Sequence, residues 1–210
     1  MRFRDPMTAR RTRGHSVGLT REAVLRAALA LADREGLKAL SMRRLGAELD
    51  VEAMTIYHHV PNKDALLDGL VEQLVASIAP PVFATPWQDG IRRYALDLRA
   101  ALLAHPNLVP LIASRPAITA QNLQTLETAL ESLRSAGLAP ADALDVIYAV
   151  TGFVVGQVVT ASEGDPVDQL APLDLSEFPL LAEAAKGPRD AEARFVFALD
   201  ALVSGLGSTR

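Results

Sequence analysis

The sequence predicts an all-α fold. Apolar residues recur at helical spacing over most of the chain, no run sustains the period-two alternation of a strand, and proline and glycine interrupt the apolar runs at helix-length intervals. With 210 residues, half of them apolar, the chain can bury a sizeable core, either as one large domain or as a small domain joined to a larger one. It has no cysteine, which excludes disulfides and thiolate-metal sites and fits a reducing cytoplasm. The arginines near the N-terminus have no apolar run behind them, so no secretory signal is expected. The longest uncharged stretch, Val146 to Ala161, reads as too short to span a bilayer.

The elements follow in order. Residues 1–17 carry Arg2, Arg4, Arg10, Arg11 and Arg13 without periodicity and read as a disordered basic arm. Thr20 can cap a first helix with an apolar face of Val24, Ala28, Leu31 and Ala32, ending at Gly36. Ser41 can cap a second, short helix containing Leu45 and Leu49. Gly46 within it should cost about 1 kcal/mol relative to alanine unless a close helix crossing requires it. Asp50 falls where the chain must turn, and aspartate tolerates the left-handed conformation. A third short helix then exposes Thr55, Tyr57, His58 and His59 around Val51 and Ile56, which are expected to be buried.

Beyond Pro61-Asn62, Leu67, Leu70, Val71, Leu74, Val75 and Ile78 follow one helix face. After Pro80-Pro81, a Thr85-Pro86 start signal opens a helix carrying Ile91, Tyr94, Ala95, Leu98 and Leu102. Pro106 and Pro116 interrupt the chain again. Leu123, Leu126, Leu130 and Leu133 form a narrower seam closed by Gly137 and Pro140. Ala141 to Ser162 has no charge between Asp145 and Glu163 and must be buried in the core or against a partner. Gly164 to Glu177 reads as a long mobile loop. After Gly187-Pro188, Phe195, Ala198, Leu199, Leu202, Val203 and Leu206 mark the last helix. No internal repeat is found.

Charge is unevenly placed. The total of −4 and a pI near 5.6 argue, taken whole, against a nucleic-acid binder. Residues 1–63, however, hold 12 Lys/Arg against 7 Asp/Glu, a net of +5, and residues 64–210 hold 9 against 18, a net of −9. Such asymmetry hints at a nucleic-acid-binding end on an acidic body. Two short helices joined by a tight turn and braced by a longer one are what a helix-turn-helix needs.

The run from Leu40 to Lys63, with Thr55-Ile-Tyr-His-His-Val60 and an Asn62-Lys63 helix start, resembles the DNA-binding domain of the tetracycline-repressor (TetR) family. Trp87-Gln-Asp89, Ala101-Leu-Leu-Ala-His105, Ser114-Arg-Pro116 and Ala193-Arg-Phe-Val-Phe-Ala-Leu199 resemble the C-terminal domain found in that family. The resemblance implies a helix-turn-helix domain over 18–64 and a helical effector-binding and dimerisation domain over 65–210. It implies that Arg43 reaches a guanine edge or a phosphate, where its fork suits two acceptors. Thr55, Tyr57 and His59 match recognition-helix contacts to phosphates and a thymine face, with His58 exposed beside them. Lys63 and Thr20, each at a helix start, match phosphate contacts.

The departures carry expectations too. Ala53 and Met54 replace the family's base-reading Gln and Pro, which predicts apolar contact with thymine methyls and a different operator. Gly46 stands where the family prefers Ala, and Asp50 where it prefers Gly. Ala79, Tyr94, Leu98, Ala129 and, with one gap, Leu111 occupy the positions matching the family's drug and metal ligands. These residues cannot anchor a magnesium-chelated drug, so tetracycline is rejected as the ligand. A cavity bounded by Leu98, Leu111, Ile112 and Phe153, with Tyr94, Ser114 and Arg115 as polar groups, would favour an apolar small molecule. Ala141 to Ser162 and Ala191 to Leu206 match the helices of the family's dimeric four-helix bundle, where Gly152 and Gly156 allow close approach and Phe195 and Phe197 add bulk.

The resemblance implies a homodimeric cytoplasmic regulator, a repressor on a palindromic operator, released by a small molecule other than tetracycline. No catalytic residue, cofactor, metal or membrane partner is expected. His58 and His59 lack the Cys or acidic neighbours of a metal site. An enzyme and a helical interaction module remain the competing classes. The chain has no Gly-rich phosphate loop and no Gly-x-Ser-x-Gly elbow, although a dispersed Ser/His/Asp set including His105 stays open. An interaction module would have no use for a basic end with Thr55, Tyr57, His59 and Lys63 outward.

Overall fold

In the computed structural model the described residues are 18–78, 83, 86–115, 118–161, 170, 172–186 and 190–208. The expected basic arm, Ala79 and half of the Gly164–Glu177 stretch lie outside them. Among the described residues there are ten α-helices and no strand: α1 Arg21–Glu35, α2 Met42–Glu48, α3 Ala53–His59, α4 Lys63–Ser77, α5 Trp87–Ala104, α6 Val109–Ser114, α7 Ala120–Ser135, α8 Pro140–Ala161, α9 Pro179–Ala185 and α10 Ala191–Ser208. Two 3-10 turns, Leu37–Ala39 and Pro106–Leu108, bridge α1 to α2 and α5 to α6. The all-α expectation holds.

Helix starts follow local chemistry. The side chains of Thr20, Ser41, Asn62 and Thr119 each accept from a backbone N–H three residues on, at Ala23, Arg44, Ala65 and Asn122. Asp50 takes a positive φ of 52° between α2 and α3, as its place in the turn requires. Gly46 is explained by packing. A Cβ there would lie 2.8 Å from the Val51 carbonyl oxygen and 3.2 Å from the Ala53 nitrogen, and the Val51 N–H donates to the Gly46 carbonyl at 2.9 Å. The close crossing of α2 and α3 therefore requires glycine. Gly46→Ala should destabilise the chain by about 1–3 kcal/mol despite better helix propensity; a raised midpoint in urea unfolding would contradict this packing.

The helices share one core. Leu25, Leu31, Leu45, Ile56, Leu66 and Leu70 are fully buried, each contributing about 1.5–3 kcal/mol by leaving water. Val51 is half-buried, not buried as expected, because it begins the short link into α3. On α4 the buried ridge runs through Leu66, Gly69, Leu70, Val71 and Leu74, which moves Leu67 to the edge. α4 packs on α1 and also reaches α5, α6 and α7. Asn107 Nδ2 donates to the carbonyls of Ala32 and Asp33, both at 3.0 Å, and His105 Nδ1 lies 3.0 Å from the Asp33 carboxylate. The 3-10 turn after α5 thus seats the C-terminal end of α1.

α8 packs against α5, α6, α7 and α10. It buries Ala143, Val146, Ile147, Val150, Val154 and Val158 along one side. Its 22 residues are long and apolar enough, by length and composition alone, to cross a membrane. The uncharged Val146–Ala161 stretch understates this, because the helix also takes in Pro140 to Asp145. Burial of one side accounts for only part of the apolar character. Tyr148, Ala149, Gly152 and Gly156 lie exposed on the remainder.

Candidate nucleic-acid interface and effector cavity

The expected DNA-contacting residues sit at the outer edge of the first three helices and the start of the fourth. Thr20, Arg43, Met54, Tyr57, His58 and Lys63 are exposed, whereas Ala53, Thr55 and His59 are half-buried. Ile56 is fully buried and fixes the rotation of α3. Tyr57 is 45% exposed and Met54 67%. The neighbouring arginines have different jobs. Arg44 donates to Glu35 at 2.6 Å and to Glu48 at 3.2 Å, and the Glu35 hydrogen bond holds that guanidinium more firmly protonated. Among the described residues Arg43 and Lys63 have no ion-pair partner. Both face solvent. The Thr20 hydroxyl accepts from Ala23 N–H and hydrogen-bonds the Glu22 carboxylate, which helps to hold that carboxyl below its ordinary pKa after the backbone hydrogen bond of Glu22 itself.

Behind α4 lies a cavity of about 380 Å³. Its walls come from α4 (Val71, Leu74, Val75, Ile78), α5 (Tyr94, Leu98), the end of α6 (Ile112, Arg115), α7 (Asn122, Leu123, Thr125, Leu126, Ala129) and α8 (Ile147, Tyr148, Thr151), with Phe83 and Ile118 between them. Tyr94, Leu98, Ile112 and Arg115 are therefore brought together there. Leu111, Ser114 and Phe153 are not. Leu111 is buried in α6 and, unlike Ile112, does not line the cavity. Ser114 Oγ donates to the Pro110 carbonyl at 2.7 Å, closing its own helix turn. Phe153 turns away from Thr151 and stacks on Phe195, with ring centroids 5.4 Å apart, and Arg99 lies over the Phe195 ring.

The polar groups in the cavity are few. The Tyr94 and Thr151 hydroxyls are hydrogen-bonded at 2.8 Å. Burial pushes the Tyr94 phenol above its ordinary pKa, an effect that the Thr151 hydrogen bond partly opposes. Arg115 donates to Asp64 at 2.5 Å and to Asp68 at 2.6 Å, both on α4. It lines the cavity and holds the first two turns of α4 at once. The wall has no carboxylate and no imidazole among the described residues, so its donors do not fit a divalent cation, which takes hard oxygen ligands.

Asn122 escapes a reading by apolar spacing. The leucine seam 123, 126, 130, 133 points to one face of α7, yet Leu123 is 49% exposed and the buried residues are Asn122, Ala129 and Leu133. The series 122, 126, 129, 133 has equally good helical spacing and holds the one polar member.

Both parts of the chain match known families. Residues 24–70 match the model of bacterial regulatory proteins of the tetR family, and residues 81–210 match that of the tetracyclin repressor-like C-terminal domain. The class D tetracycline repressor protein of Escherichia coli is 33% identical over 195 residues, covering 89% of this chain and 88% of its own length. An HTH-type transcriptional regulator of Saccharopolyspora erythraea is 35% identical over 145 residues, or 69% of this chain; the match spans only 61% of that protein. ActR of Streptomyces coelicolor, solved in complex with actinorhodin, superposes with a TM-score of 0.78 at 30% identity, covering 92% of this chain and 100% of that one. With both halves matched in order, the chain belongs to the tetracycline-repressor family of transcriptional regulators.

Proposed function

We propose that the chain is a homodimeric transcriptional repressor that binds a palindromic operator and is released by an apolar small molecule other than tetracycline. The observation that carries this reading is Arg115, which lines the cavity and is bonded to the helix that begins at Lys63. Residues 18–64 act as the DNA-binding domain, with α3 in the major groove. Arg43 and Lys63 supply free cations, Thr20 and Thr55 hydroxyls, Tyr57 and His59 phosphate and base-face contacts, and Ala53 and Met54 an apolar surface for thymine methyls. His58 stands exposed beside them. Residues 65–210 hold the effector and the second copy, and the dimer works in the cytoplasm without a membrane partner. That ActR is seen with actinorhodin supports a small-molecule effector here. The apolar cavity wall, with Tyr94, Leu98, Ile112 and Arg115 as contacts, supports one unlike a magnesium chelate.

Release follows from geometry. A two-fold dimer must present its two α3 helices about 34–36 Å apart, or a close multiple. A ligand that competes for Arg115, or spreads α4 from α7, favours subunit positions with another spacing. Driving the bound population from 99:1 to 1:99 takes about 5.5 kcal/mol of differential affinity. The experiment is a double-mutant cycle in operator affinity with Arg115→Ala and Asp68→Asn. Asp68 and Arg115 are partly solvent-exposed, so the expected coupling is on the order of 0.5–1 kcal/mol. Additive effects would remove Arg115 as the link, and no operator affinity in the unmutated chain would remove the function.

A further inference from the structure

Asn122 is the sole polar side chain among the described residues that is buried, at 5% exposure, and neither its Oδ1 nor its Nδ2 has a hydrogen-bond partner. Leaving both ends of an amide unpaired out of water is costly, and a leucine of similar size would avoid the cost. Asn122 is one of the residues that line the cavity, with both amide atoms closed off from solvent. Most other polar groups of the lining are engaged, Tyr94 with Thr151, Arg115 with Asp64 and Asp68, and the Thr125 hydroxyl with the Gln121 carbonyl, while Tyr148 is largely exposed. Asn122 thus offers an unclaimed acceptor and donor side by side on one edge of a planar group.

From this we infer the chemical class of the effector, an inference that rests on the effector-cavity reading above. The cavity takes a mainly apolar molecule with an adjacent hydrogen-bond donor and acceptor on one edge. A lactam is the simplest such edge. Its N–H donates to Asn122 Oδ1 while its carbonyl accepts from Nδ2, in a paired ring of two hydrogen bonds. Asn122 is the specificity-determining residue, because a site with buried polar groups rejects an isostere that leaves them unpaired far more strongly than an apolar site rejects an extra polar group.

The test uses matched probes on the full chain: phenanthridin-6(5H)-one against phenanthrene, and quinolin-2(1H)-one against naphthalene, with binding read by probe fluorescence. The lactam of at least one pair is expected to bind at least tenfold more tightly than its hydrocarbon, and Asn122→Leu is expected to abolish that preference while retaining hydrocarbon binding. Asn122→Ser gives the same comparison if the leucine variant folds poorly, since one hydroxyl cannot present both groups. Equal affinity within both pairs would overturn the Asn122 inference and leave the effector cavity standing. A preference that persists in the variants would overturn the assignment to Asn122. Absence of binding by all four probes would overturn the inference together with the apolar-effector reading on which it rests.

Discussion

Gly152→Arg and Gly156→Arg, made together, are expected to leave the chain folded and to halve its mass in solution. A Cβ at either position would meet nothing within 4 Å in this chain, so the chain's own packing does not oppose the change. Arginine also favours a helix interior over glycine by roughly 0.8–1 kcal/mol. The cost falls elsewhere. Tyr148 is 61% exposed and Phe197 58%, on the two helices expected to form the bundle, and the glycines open a flat strip along α8 where a second copy can approach. In a two-fold interface each substitution appears twice, placing four guanidinium groups, about 3–5 kcal/mol each if left unpaired, in the contact. Sedimentation at micromolar concentration should show a monomer, with operator affinity reduced at least about 100-fold, or ~2.7 kcal/mol. A variant that stays dimeric would move the interface away from α8.

The second large effect is expected from Tyr57→Ala combined with Lys63→Ala. Both residues are exposed and neither belongs to the buried set that holds α3 and α4, so the melting temperature should change little. Each loss of a phosphate or groove contact is worth about 0.5–1 kcal/mol, and the proposed dimer would carry both sites twice. Operator affinity should therefore fall by roughly 2–4 kcal/mol, and the salt dependence should flatten by about two phosphate charges from the paired lysines. Unchanged affinity, measured by anisotropy on a labelled duplex, would take these residues out of the interface.

The N-terminal end is legible in the sequence because its determinants are local. A cap needs one side chain and one N–H three residues away, so Thr20, Ser41 and Asn62 declare their helices. Asp50 declares its turn through its own backbone preference. The cavity is not local. Five helices build it, and periodicity shows that a helix has an apolar face without showing which ridge meets which neighbour. Hence Leu98 and Ile112 reach the cavity, whereas Leu111, one residue away, and Phe153, two residues from Thr151, do not. Charge is deceptive in the same way. Arg43 and Arg44 are adjacent and alike in sequence, and only Glu35 and Glu48, brought over by α1 and the end of α2, separate the tethered arginine from the free one.

In the proposed function, two copies of α3 read a symmetric duplex. Repeated selection of bound fragments from a pool of random duplexes, at about 0.15 M salt, tests it most directly. The account predicts enrichment of a palindrome whose half-site centres lie about 10–10.5 base pairs apart or a close multiple, with binding that weakens steeply as salt is raised. Failure to enrich any sequence, or enrichment of a single half-site without a symmetric mate, would contradict it.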